Sequence, residues 1–129
     1  MRNFKELDVW RESHKIVLEI YAQTALFPKE EQYGLISQMR RSAQSIPTNI
    51  AEGCGRNSEK DFLRFCHIAM GSASELEYQL ILSHDLKYIK QSDFESLSNQ
   101  LVTLKKRLNA FIQYLRTQTP NSPKPKLCV

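Results

Sequence analysis

The chain has 129 residues, of which 41% are hydrophobic and 25% charged, enough for one domain with a real core and too little for a second. Its net charge of +4 is uneven, with +6 on residues 86–129 and −2 on residues 1–85, so the C-terminal part either attracts a polyanion or only keeps the protein in solution. No apolar run is long enough to span a bilayer, and Met1–Asp8 lacks the apolar middle of a secretory signal, so a cytoplasmic protein with no membrane partner is expected.

The first helix is expected over residues 8–26, with the Asp8 carboxylate capping free N–H groups and Phe27-Pro28 ending it. Trp10, His14, Val17 and Tyr21 make its predicted inner stripe, and Ile16 and Ile20 widen that stripe beyond one buried seam. The second helix is expected over 29–54, starting after Pro28 with acids in its first turn. Ile36, Met39, Ala43, Ile46, Ile50 and Gly53 recur at spacings of three and four through Pro47, so tertiary packing must offset the roughly 3 kcal/mol that an internal proline costs. Gly53 and Gly55 around Cys54 mark its stop.

A third helix is expected over 58–88, opened by a Ser58 and Asp61 capping box and carried by Phe62, Phe65, Ala69, Ser72, Leu76 and Ser83. Small residues from Ala69 to Ser74 permit a close backbone approach at its middle. The fourth helix, over 92–117, reads from a Ser92 and Glu95 capping box through Phe94, Leu97, Leu101, Leu104, Leu108, Phe111 and Leu115. Residues 119–129 read as a Pro/Lys-rich flexible tail. Four helices with short connections predict an all-α, antiparallel up-down-up-down bundle over residues 1–118.

Several blocks resemble one family: Phe4-Lys5-Glu6-Leu7-Asp8-Val9-Trp10, Phe27-Pro28-Lys29-Glu30-Glu31, Gln38-Met39-Arg40-Arg41-Ser42-Ala43, Ser45-Ile46-Pro47-Thr48-Asn49-Ile50-Ala51-Glu52-Gly53 and Ala69-Met70-Gly71-Ser72-Ala73-Ser74-Glu75-Leu76-Glu77. They are similar to the four-helix-bundle proteins encoded in intervening sequences of bacterial 23S ribosomal RNA genes. The resemblance implies a ring-shaped homopentamer without established enzymatic activity. It also implies likeness to the accessory variability determinant of diversity-generating retroelements, which works with a reverse transcriptase and its template RNA; function carried this way is analogy. Cys54 and Cys66 depart from the commonest family pattern, an aromatic and an aliphatic, in ways a core tolerates.

Polar groups near the stripes of the second and third helices, Arg40, Arg41, Asn49, Glu52 and Glu75, are expected to form a structural network with an arginine forked onto Glu52 or Glu75. A ligand or nucleic-acid role for the same groups stays open. Arg56, Lys60 and Arg64, near the start of the third helix, and Lys105, Lys106 and Arg107, outside the leucine seam of the fourth, are the candidate nucleic-acid contacts. Their alternative is a solvated surface with helical ion pairs. Repetition in a ring multiplies such charge, and Arg116, Lys124 and Lys126 extend it.

Nothing points to catalysis. His14, His67 and His84 are far apart, no metal-ligand spacing is present, and Cys66 and His67 point to different sides of a helix. Gly53-Cys54-Gly55-Arg56 lacks the spacing of a phosphate cradle. Three cysteines without a pairing pattern are expected to be reduced thiols. The reading is a non-enzymatic oligomer without metal or cofactor, in which surplus apolar stripes are buried between subunits and basic charge gathers RNA or DNA; the alternative is a protein-interaction ring with no nucleic-acid role.

Overall fold

A computed structural model describes residues 2–118. The expected tail, 119–129, lies outside the described residues. Four helices carry the fold: α1 (Asp8–Thr24), α2 (Leu35–Cys54), α3 (Glu59–Asp85) and α4 (Gln91–Gln118), with short 3-10 turns at Phe4–Glu6 and Lys29–Glu31. The described residues contain no strand. α2 packs on α1 and α3, and α4 packs on α1 and α3, so the four form a bundle.

The core is one continuous cluster drawn from every helix, with Ile20, Met39, Ile46, Ile50, Leu76, Leu101, Leu104 and Leu108 sealed from solvent. The leucine stripe of α4 enters it as its spacing predicts, joined by Ile112, while Phe94 and Phe111 pack at its edge. α2 runs unbroken through Pro47, which is itself buried. Burial of Ile46 and Ile50 on either side accounts for that tolerance, since each fully buried aliphatic side chain contributes about 1.5–3 kcal/mol.

On α1 the buried arc is rotated from the predicted stripe. Val9, Ser13, Ile16, Val17, Ile20 and Thr24 face inward, while Trp10 is half-buried and His14 and Tyr21 are exposed. Two apolar arcs overlap at Val17, and the bundle takes the wholly aliphatic one; the amphipathic aromatics keep their polar ends in water.

Helix ends supply further corrections. Leu7, with no side-chain cap, precedes α1, and the Asp8 carboxylate pairs with Arg11 instead of capping. α1 stops at Thr24, two residues before the expected end, where the Thr24 hydroxyl donates to the Ile20 carbonyl at 2.7 Å. The expected helix over 29–54 is divided: Pro28 leads into the turn Lys29–Glu31, the backbone opens at Gly34 with φ −110° and ψ −111°, and α2 begins at Leu35. At its other end α2 closes at Cys54 with Gly55 as the C-cap, in right-handed rather than positive-φ backbone. Gly53 is inside the helix because a Cβ there would lie 2.6 Å from Phe62 Cδ1 and 3.0 Å from Phe65 Cβ, so its hydrogen lets α3 approach.

The Ser58 hydroxyl accepts from the Asp61 N–H at 3.1 Å, giving α3 the cap its sequence predicts. Its other end comes three residues before the expected 88. Lys87 adopts φ 65°, and the N–H groups of Lys87 and Tyr88 donate to the carbonyls of His84 and Ser83 at 3.0 and 2.9 Å, the paired bonds of a Schellman motif. The Ser92 and Glu95 box is not used: α4 already begins at Gln91, the Lys90 carbonyl accepts from Phe94 N–H, and Glu95 takes the Gln91 amide at 2.7 Å.

Candidate functional site

Small hydroxyl residues one turn apart let α2 and α3 approach and put their polar groups in a shared seam. Asn49 donates its amide to the Ser45 carbonyl and hydroxyl at 2.7 and 2.9 Å, Ser45 and Ser72 share a hydroxyl bond at 2.7 Å, and Ser42 donates to Glu75 Oε1 at 2.5 Å. Asn49 and Glu75 thus lie in the same seam but in two separate sets of bonds, Asn49 with Ser45 and Ser72 and Glu75 with Ser42. The hydroxyl members Ser42, Ser45 and Ser72 were missing from the prediction, although their position beside the apolar stripes is visible in the sequence.

No arginine is forked onto Glu52 or Glu75. Arg40 turns the other way, toward α1: its Nε donates to Thr24 Oγ1 at 2.9 Å, and its guanidinium lies 4.5 Å from the Tyr21 ring centre. The 100° step between neighbouring helical residues separates Arg40 from Arg41, which is exposed and forms no ion pair among the described residues. Glu52 meets Arg56 at 3.6 Å, a single contact on the outer surface.

The six basic candidates fall into two groups. At the α2–α3 turn, Arg56 and Arg64 both approach Asp61, at 3.8 and 3.1 Å, and stand 4.8 and 4.6 Å from the Phe65 ring centre. One carboxylate and one ring hold both guanidinium groups. On α4, Lys105 pairs with Glu77 of α3 at 2.9 Å, and Arg107 pairs with Glu12 of α1. These neighbours therefore point to opposite flanks. Lys60 and Lys106 are exposed and form no ion pair among the described residues. The structure does not bring the six together into one track.

The histidines and cysteines are separately placed. His14 stacks on Trp10 with ring centres 5.2 Å apart, His84 stacks on Phe94 at 4.2 Å, and His67 is exposed. Cys54 and Cys66 are free and buried. Burial pushes the Cys66 thiol up to about 12 and raises that of Cys54, so both are held protonated near neutral pH. Among the described residues no three His, Cys, Asp or Glu side chains gather as a metal site, and no helix is long and apolar enough to cross a membrane.

Two surface features remain. A mostly apolar groove of about 410 Å³ lies between α1 and α2, lined by Phe4, Trp10, His14, Val17, Pro47 and Ala51 with Gln44 and Thr48 at its polar rim. On α3, Ile68, Tyr78 and Ile81 are 42%, 62% and 46% exposed.

Residues 5–110 match the family described as 23S rRNA-intervening sequence protein. The chain belongs to that family. The matched stretch takes in α1 to α3, the polar seam and most of α4. Among solved structures, this 23S rRNA-intervening sequence family member is similar to a protein of unknown function from the S23 ribosomal protein family of Bacteroides thetaiotaomicron. The two are 29% identical with a TM-score of 0.75, over 81% of this chain and 95% of the other. No curated protein matches the chain.

Proposed function

We propose that this 23S rRNA-intervening sequence family protein is a non-enzymatic scaffold whose copies assemble side by side and present basic charge to nucleic acid. The observation that carries the reading is the apolar stripe on α3. Ile68, Gly71, Tyr78 and Ile81 recur on one side of the helix, three of them exposed apolar side chains, and nothing lies within 4 Å of a Cβ built on Gly71. Such a surface is costly in water and becomes favourable when a second apolar surface covers it.

Contacts between helices support the up-down-up-down arrangement: Ser42 meets Glu75 where Ser45 meets Ser72, and Arg107 meets Glu12 where Gln100 meets Glu19. The family resemblance makes a ring of five the expected assembly. In a ring, the free lysines Lys60 and Lys106 and the free Arg41 repeat on every copy, so weak phosphate contacts add through avidity. A template RNA and its reverse transcriptase are the partners that the same analogy supplies. The ion pairs that occupy Arg56, Arg64, Lys105 and Arg107 favour the second reading, an interaction ring with no nucleic-acid role.

Light scattering over a range of concentrations tests assembly, with an Ile68→Glu and Tyr78→Lys variant as control. The scaffold reading expects a multiple of the chain mass that the variant lowers; a single-chain mass for the parent overturns it. Titration with mixed RNA and DNA at low and moderate salt separates the two readings, since steeply salt-dependent binding belongs to the first and negligible binding to the second.

A further inference from the structure

We propose that Arg41 of one copy forks onto Glu75 of the next, seating the α3 stripe of each copy against the α1–α2 face of its neighbour. The inference rests on the scaffold reading above and names the surfaces by which the copies meet. Glu75 belongs to the stripe itself: Ile68, Gly71, Glu75 and Tyr78 follow one another at spacings of three, four and three, and all four are exposed.

A carboxylate in the middle of an apolar stripe constrains what covers it. A wholly apolar partner strips water from Glu75 and leaves its charge unpaired, which costs more than the covered apolar area returns. The covering surface must therefore bring a cation to that point. Within its own copy Glu75 accepts from the Ser42 hydroxyl through Oε1 at 2.5 Å and forms no ion pair among the described residues. That bond holds the carboxylate in place and leaves Oε2 outside it, a geometry suited to the several donors of a guanidinium.

The chain supplies such a cation on a second surface. Arg41 is exposed and without an ion pair among the described residues, and it shares the outer face of α2 with Gln44, Thr48 and Ala51. Those three line the apolar groove between α1 and α2, together with Val17 and Pro47. An unpaired guanidinium thus flanks an apolar groove, and an unpaired carboxylate sits on an apolar ridge. Within one copy the two do not meet, because the 100° step from Ser42 to Arg41 turns Arg41 away from α3.

Heights along the bundle agree. Ser42 bonds Glu75 and Ser45 bonds Ser72, so α2 numbers rise as α3 numbers fall at matching levels. Rotation about an axis along the bundle leaves every height unchanged. A neighbour's Arg41 then stands about 1.5 Å, one residue's rise, from the level of Glu75, and residues 44–48 of its groove wall stand level with residues 69–73. Gly71 is at the centre of that stretch, where nothing lies within 4 Å of an added Cβ, so a neighbour's backbone has room to approach. Ridge and groove lie on different helices, so each contact is heterologous, and a rotation without rise closes into a ring instead of a filament. Of the three free cations, docking engages Arg41 and leaves Lys60 and Lys106 toward solvent.

Charge reversal in the full chain tests the pair, with light scattering across concentrations for mass and circular dichroism for helix content. Arg41→Glu and Glu75→Arg, made singly, are each expected to keep the helical signal and to raise the concentration needed for assembly roughly ten-fold or more. Mixing the two variants is expected to restore assembly, because every contact between unlike variants joins opposite charges; a pair within one chain is not rescued by mixing. Gly71→Gln enters open space in the single chain, so it is expected to fold normally and to impair assembly by a similar factor. Should a charge variant lose its helical signal, Gly71→Gln decides the docking by itself, and its undiminished assembly overturns the proposal. Assembly of both charge variants equal to the parent, or a mixture that fails to assemble, overturns the pair and leaves the scaffold reading standing. A single-chain mass for the parent overturns both.

Discussion

Ser42 donates its hydroxyl to Glu75 Oε1 at 2.5 Å and thereby ties the middle of α2 to the middle of α3. Ser42 is buried while Glu75 is exposed, so the bond places a charged acceptor at the solvent edge of the seam. Ser42→Ala is expected to lower stability by about 1 kcal/mol, with a similar coupling to Glu75→Ala in a double-mutant cycle. Urea unfolding of the four proteins measures it, and additive effects would show that the bond contributes nothing.

Lys87 and Gly53 hold residue types whose exchange has opposite consequences. Lys87 sits at φ 65°, a conformation costing a side-chain-bearing residue about 1 kcal/mol, so Lys87→Gly is expected to raise stability by about that amount. At Gly53 an added methyl collides with Phe62 and Phe65, and Gly53→Ala is expected to cost about 1–3 kcal/mol despite its better helix propensity. Thermal and urea midpoints report both; stabilisation by Gly53→Ala would contradict the close approach.

Stability at alkaline pH carries the signature of Cys66. Its folded-state thiol is raised to about 12 from a reference of 9.0, so the unfolded chain releases this proton first as pH climbs. The contribution is complete below about pH 9 and is lost as pH rises toward 12, at about 1.4 kcal/mol per pH unit within that window. Cys66→Ala should therefore flatten the fall in unfolding free energy between pH 9 and 11. A parallel profile would contradict it. In the native protein, Cys54 and Cys66 are expected to resist thiol reagents until unfolding.

Lys60 and Lys106 are the predicted points of phosphate attraction because no carboxylate among the described residues pairs with them. Lys60→Gln together with Lys106→Gln is expected to weaken nucleic-acid binding and to reduce the magnitude of its log–log salt slope by about 2 per chain. Lys105→Gln should do less, because the ion pair with Glu77 already engages its charge. Equal effects would remove the distinction that the ion pairs draw.

Much of the fold was legible residue by residue. The leucine spacing of α4 and the Ser58 cap of α3 are local signals, set by helical geometry and by one hydroxyl reaching one N–H, and both stand in the structure. The Met39–Ala43–Ile46–Ile50 stripe also survives the proline within it. Among the site residues, the sequence identified Asn49 and Glu75 as seam groups but could not choose their partners, because a hydroxyl and a guanidinium compete for the same carboxylate.

Sequence by itself determined four helices, their spacing and a chain with surplus apolar surface, since these follow from periodicity and composition along one strand of covalent bonds. Tertiary structure decided which arc of α1 is buried, which way Arg40 turns and which lysines remain unpaired. Each of those outcomes depends on neighbours distant in the chain: Ile16 and Ile20 outcompete Trp10 and Tyr21 for the core, Thr24 draws Arg40 from Glu75, and Glu77 and Glu12 engage Lys105 and Arg107.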